Sequence, residues 1–189
     1  MFIRNHHYYL YIDNSKLFNL NLIRFRNKFS IIYRNNDKPE DIADLKELKK
    51  SCRRKGVKLF IANNLKLLNK LQADGLYLSS FNKNYLLIDK NKYELIGSAH
   101  NIKEIFEKKK QGCKTIILSR LFRTNYKNKK SFFGVVKFNL ITSLTKSLYV
   151  ALGGIRLENI TTVKMLKSDR IALLTEIKKK PAKIINRLF

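Results

Sequence analysis

The chain has 189 residues, enough to bury a core without disulfides or a structural metal. Hydrophobic residues make up 44% and charged residues 29%, a globular rather than a disordered composition. Lys and Arg number 40 against 14 Asp and Glu, a formal charge of +26 that by itself points to a nucleic-acid or anionic-membrane partner. No apolar run nears the roughly 18 residues of a membrane-spanning helix. The start Met1–His7 lacks the basic-then-apolar order of a signal peptide, so a cytoplasmic protein is expected. Cys52 and Cys113 form no CxxC or zinc pattern and read as free thiols. With 7 Gly and 2 Pro no linker stands out, and one compact domain over residues 1–189 is expected.

In chain order, short apolar runs alternate with helical patterns. HYYLYID (residues 7–13) and KFSIIYR (28–34) read as strands closed by Asn and Asp turns. Pro39, Glu40 and Asp41 suit a helix start, Ile42, Leu45 and Leu48 keep helical spacing, and Gly56 ends the helix after a basic last turn. Strands are then predicted at 57–62, 75–78, 93–96, 114–119, 147–152 and 170–174. Helices are predicted at 64–71, 101–110, 138–145, 157–166 and 178–188. The inner strands are continuously apolar, as parallel strands buried on both faces are. Eight such β-α units favour an α/β fold of the closed (β/α)8 TIM-barrel type; an open doubly wound sheet is the alternative, without a GxGxxG to support it.

Specific motifs then come into view. CRRKGVKLFIANNLKLLNKLQADGLYL, from Cys52, resembles without a gap the stretch C-x-x-x-G-V-P-L-I-V-N-D-R-V-D-L-A-L-x-L-G-A-D-G-V-H-L of the thiamine phosphate synthase/thiazole tautomerase (TenI-like) family. GSAH (97–100) with QGCKTIIL, LSRLFRT (118–124) and YVALGGIRLEN (149–159) resemble that family's later motifs in order and spacing. The resemblance implies a (β/α)8 barrel and a reaction joining hydroxymethylpyrimidine diphosphate to a thiazole phosphate, with diphosphate leaving. Its site would take small phosphorylated pyrimidine and thiazole ligands. It implies substrate and phosphate binding by Arg34, Ser98, Thr124, Lys127, Gly153 and Gly154, and leaves the catalytic residues unassigned; Arg120 and Arg123 stand where the family has prolines and join the candidates on their charge. His100 is read as support for its loop.

The departures are specific. The family's Mg²⁺ carboxylates fall at Asn63 and Asn82, and the Asn that touches diphosphate falls at Ala62, followed by Asn64 after Asn63. An amide oxygen carries no charge, so Mg²⁺ binding should be greatly weakened. Two pyrimidine-contacting positions are Ile32 and Asn36, and Thr175-Glu176 follows the last strand. Arginines at 120 and 123 with Lys127 are expected to supply cation in place of the metal. The alternative is a diverged, metal-independent relative, tautomerase-like or binding a thiamine precursor, with His100 and Glu176 as its titratable candidates. A specific nucleic-acid function is not expected, because Lys46, Lys49, Lys50, Lys108–Lys110 and Lys178–Lys180 sit at helix ends and on expected outer faces, as on a solvated surface. The oligomeric state is left open.

Overall fold

A computed structural model describes residues 7–17, 19–22, 27–35, 40–84, 88–89, 91–124 and 131–174. Eight parallel strands close into a barrel in sequence order: β1 (His7–Ile12), β2 (Phe29–Tyr33), β3 (Lys58–Ala62), β4 (Gly75–Leu78), β5 (Glu94–Ala99), β6 (Thr115–Ser119), β7 (Leu148–Leu152) and β8 (Arg170–Leu173). β8 pairs with β1, Tyr8 opposite Ile171, which closes the ring. Helices α1 (Ile42–Lys55), α2 (Leu65–Leu71), α3 (Ile102–Lys110), α4 (Gly134–Leu144) and α5 (Ile160–Val163) lie between strands, as a (β/α)8 barrel requires.

Strand alternation sorts the apolar residues into two cores. Tyr9, Tyr11, Ile32, Phe60, Tyr77, Ile96, Ile117, Val150 and Ala172 fill the barrel interior. Their neighbours along each strand, among them Leu10, Ile31, Leu59, Leu76, Ile116 and Ile171, face the helices. Bulky aromatics are matched by small residues: a Cβ at Gly75 would stand 2.7 Å from the Phe60 ring, so glycine leaves that ring its place. The N-terminal end of the interior is polar. Ser30 hydrogen-bonds His7 Nε2 at 2.9 Å, Lys58 pairs with Glu94, and the Arg170 guanidinium reaches the Tyr9 hydroxyl at 3.5 Å.

The helix ends follow local chemistry. Asp41 caps α1 through the Ala43 N–H, and Gly56 ends it in the left-handed region at φ 64°. Asn64 caps α2 through Leu67 N–H. Asn101 and Glu104 form a reciprocal cap on α3, with Glu104 also accepting the His100 N–H.

Four expectations change. β5 runs on to Ala99, so Gly97 and Ser98 are strand residues and Asn101 does the capping. α4 starts at Gly134, not residue 138; it has no side-chain cap, and its β-branched Val135-Val136 hid the start. Residues 157–166 form a 3₁₀ turn (Leu157–Asn159) and the short α5 rather than one long helix. Lys108 is 1% exposed, not on a solvated face, because Gly97 gives its stem room: a Cβ there would stand 2.8 Å from the Lys108 Cβ, Cγ and Cδ. The expected helix at 178–188 and Pro39 lie outside the described residues. Cys52 and Cys113 are both buried, and burial pushes the Cys52 thiol up to about 12. No described helix is long and apolar enough to cross a membrane.

Candidate active site

The C-terminal ends of the strands form the barrel mouth, where loops gather in this architecture. Period-2 alternation places the side chains there. Two residues past the interior positions Tyr9, Ile32, Tyr77, Ile96 and Ile117 come Tyr11, Arg34, Ser79, Ser98 and Ser119. Arg34 is half-buried, and its backbone N–H donates to Ile12 O at 2.8 Å, fixing it at the end of β2. Ser79, Ser98 and Ser119 are buried. Sequence reading singled out Ser98 alone of these three; counting by twos from the interior residues would have found the other two and Tyr11.

Two of the three serines are engaged. His100 Nδ1 lies 2.9 Å from the Ser119 carbonyl and 3.0 Å from its hydroxyl. A carbonyl accepts, so Nδ1 carries the proton, and the ring ties the β5 end to the β6 end. Ser79 bonds Asn63, described below. The Ser98 hydroxyl has no hydrogen-bond partner among the described residues. Nor does the buried Thr124 hydroxyl, while the Tyr11 hydroxyl lies against Tyr77. Burial holds the Tyr11 phenol well above its ordinary 10, neighbouring Tyr77 adds to this, and the Arg34 charge opposes it. Buried unpartnered polar groups are uncommon.

The loop after β6 lies across the end of β7. Leu121 N–H donates to Leu152 O at 2.8 Å, and Phe122 N–H donates to Gly153 O at 3.0 Å. Both glycines adopt positive φ, 100° and 69°. A Cβ at Gly153 would stand 3.1 Å from the Arg120 stem, and one at Gly154 would stand 2.7 Å from the Arg123 carbonyl. The pair therefore lets this loop seat itself, with half-buried Arg120 and exposed Arg123 carried on it. Ile32 is fully buried in the interior core. Lys127, Asn36, Thr175 and Glu176 lie outside the described residues.

Asn63 and Asn82, the two positions expected to replace metal carboxylates, come together. Asn63 Oδ1 accepts from the Ser79 N–H at 3.0 Å, the Ser79 hydroxyl at 3.1 Å and Asn82 Nδ2 at 3.1 Å. Asn82 Oδ1 accepts the Asn84 N–H at 3.1 Å. Two carboxylates this close would need a cation between them, whereas two amides bind each other. Both side-chain oxygens already accept hydrogen bonds and neither carries charge. This donor set does not fit a hard divalent cation. Asn64, next in sequence, is used as the α2 cap.

A further group missed in the sequence stands behind this loop. The buried Lys108 Nζ donates to Asn82 O at 2.6 Å and to Gln111 Oε1 at 2.9 Å. Gln111 Nε2 donates to Asn82 O and Asn84 O at 3.0 and 2.9 Å. Burial pulls the Lys108 pKa below its ordinary 10.5. The signal lay in spacing: Lys108 follows Ile105 by three on the buried face of α3.

Comparison with known proteins agrees with this geometry. The thiamine monophosphate synthase family model matches residues 15–177. A thiamine-phosphate synthase of Prochlorococcus marinus is 28% identical over 152 residues, 78% of this chain and 44% of that protein. The thiamine biosynthesis bifunctional protein ThiED of Geobacter sulfurreducens is 26% identical over 163 residues, 85% of this chain and 32% of that one. The chain thus spans less than half the length of these curated relatives. A solved thiamine phosphate pyrophosphorylase from Pyrococcus furiosus shares the fold, with TM-score 0.76 and 18% identity over 98% of this chain and 94% of its own. A family pattern that runs through most of the chain, on a barrel closed in the same strand order as the sequence motifs, places this chain in the thiamine monophosphate synthase family.

Proposed function

We propose that the barrel mouth binds hydroxymethylpyrimidine diphosphate and a thiazole phosphate and joins them into thiamine phosphate. The observation that carries this reading is the set of hydroxyls of Tyr11, Ser98 and Thr124, that of Thr124 buried without a partner, at the barrel end that also bears Arg34, Arg120 and Arg123. In the reaction the pyrimidine methylene C–O bond breaks and diphosphate leaves with the electron pair. The thiazole nitrogen lone pair then forms the new C–N bond. The guanidiniums and hydroxyls meet the charge that develops on the leaving oxygens, which is where such groups accelerate a reaction. Interior Ile32 and Leu152 give the reacting carbon an apolar wall. Gly153 and Gly154 bring the arginine-bearing loop to the mouth, and Lys127 belongs to the same cationic set.

The test is ligand binding measured by calorimetry with inorganic pyrophosphate and with thiazole phosphate. Arg34→Ala and Arg120→Ala are each expected to weaken pyrophosphate by about tenfold or more, the value of a charge-assisted hydrogen bond. Unchanged affinity in both variants would remove the reading.

The Asn63–Asn82 pairing favours a second reading, a metal-independent relative that binds or tautomerises a thiazole phosphate. His100 suits that role, since with Nδ1–H on Ser119 O its neutral ring leaves Nε2 unprotonated. Stabilisation by thiazole phosphate with no coupled product would decide for this reading.

A further inference from the structure

The loop after β4 carries Ser79 and Asn82 and is held from behind by two buried side chains. Lys108 leaves α3, passes over Gly97 on β5 and ends on the Asn82 carbonyl at 2.6 Å. Gln111 donates to the same carbonyl and to that of Asn84, so three hydrogen bonds from one helix end fix residues 82–84. Asn82 then holds Asn63, and Asn63 holds Ser79. The chain of contacts runs from a fixed lysine to both strands that border this part of the mouth. A lysine is an expensive thing to bury, and one with only carbonyl acceptors around its nitrogen is placed there as an ammonium.

We propose that Lys108 is a positioning residue that serves as a built-in cation: it orders the Asn63–Ser79–Asn82 cluster, so that the mouth takes its anionic ligand without a divalent metal. This rests on the reading of the mouth as a phosphate-ligand site, and it goes beyond that reading by naming what holds the site in place of a metal. The ammonium sits on the Asn82 carbonyl, and the Asn82 side chain in turn bonds Asn63. A divalent ion there would meet that charge and find two neutral oxygens already hydrogen-bonded.

The experiment is Mn²⁺ titration of the full chain, followed by electron paramagnetic resonance, together with pyrophosphate calorimetry in EDTA and in Mg²⁺. The wild type is expected to show no saturable one-to-one Mn²⁺ site, and a pyrophosphate affinity that is the same within about twofold with EDTA or Mg²⁺. Asn63→Asp/Asn82→Asp is expected to gain a Mn²⁺ site. Adding Lys108→Met to that pair is expected to tighten Mn²⁺ by about tenfold, while adding Lys108→Arg, which keeps the charge, does not. A purely structural lysine would not show this dependence on charge. A saturable wild-type Mn²⁺ site lost in Asn63→Ala would overturn the proposal, as would equal Mn²⁺ affinity in the Met and Arg backgrounds. If Lys108→Met does not fold, the wild-type titration and the Asp pair decide. Absence of pyrophosphate binding in either buffer would count against the phosphate-site reading, whereas the Mn²⁺ results on the ligand-free chain judge Lys108 alone.

Discussion

His7 sits at the closed, N-terminal end of the barrel, in contact with the Tyr9 ring and hydrogen-bonded to Ser30. Burial lowers its pKa from 6.5 to about 4, and the charges of Arg170 and Lys58 push the same way against Asp169 and the Asn27 backbone. The unfolded chain therefore binds more protons between those two values, and stability falls as pH drops from 6.5 toward 4. His7→Gln keeps a hydrogen-bonding side chain and removes the titration. Thermal unfolding followed against pH is expected to show a flatter slope in His7→Gln than in the wild type over the upper half of that window. An identical slope would mean that His7 is not the group responsible. The residue scale was also where the sequence misled. Lys108 was read with its neighbours in the run 108–110; spacing sets it on the buried face of α3, but the room for its stem depends on Gly97, a residue on another element. Asn63 and Asn82 were singled out together in the sequence, and their mutual bond goes with the left-handed backbone at Asn63, φ 52°.

At the scale of elements, the strands were legible because a strand buried on both faces is written as an unbroken apolar run. The helix starts were legible where a capping side chain announces them, as at Asp41, Asn64 and Asn101, and obscure at α4, where none does. One polar contact joins three elements. Asp74, just before β4, accepts Lys49 Nζ of α1 at 2.6 Å and the Leu59 N–H of β3 at 2.7 Å through one oxygen. Asp74→Ala removes a charged acceptor from both. It is expected to cost about 1–3 kcal/mol of folding stability, read as a lower urea midpoint with an unchanged slope. A change within about 0.5 kcal/mol would show that the contact is solvent-screened and carries little.

For the whole molecule, the +26 charge comes from 40 Lys and Arg against 14 Asp and Glu, so few acids are present to pair with it. Lys16–Asp44, Lys50–Glu47 and Arg54–Glu47 are exposed pairs that contribute little individually. The abundance of Lys beside Asn, Ile, Phe and Tyr is what an A+T-rich coding sequence would yield, so most of the charge reads as background. The cations proposed for the mouth are fewer: Arg34, Arg120 and Arg123 on the ligand side, and Lys108 behind the β4 loop. The barrel and its family were legible from the motifs. The closure of the metal position was not, because it is made by hydrogen bonds between loops that the sequence does not bring together. The measurement that tests the account most directly is product formation by the full chain supplied with hydroxymethylpyrimidine diphosphate and thiazole phosphate. Thiamine phosphate is expected to appear above the enzyme-free rate with EDTA present as well as with Mg²⁺; no product under either condition would contradict the account.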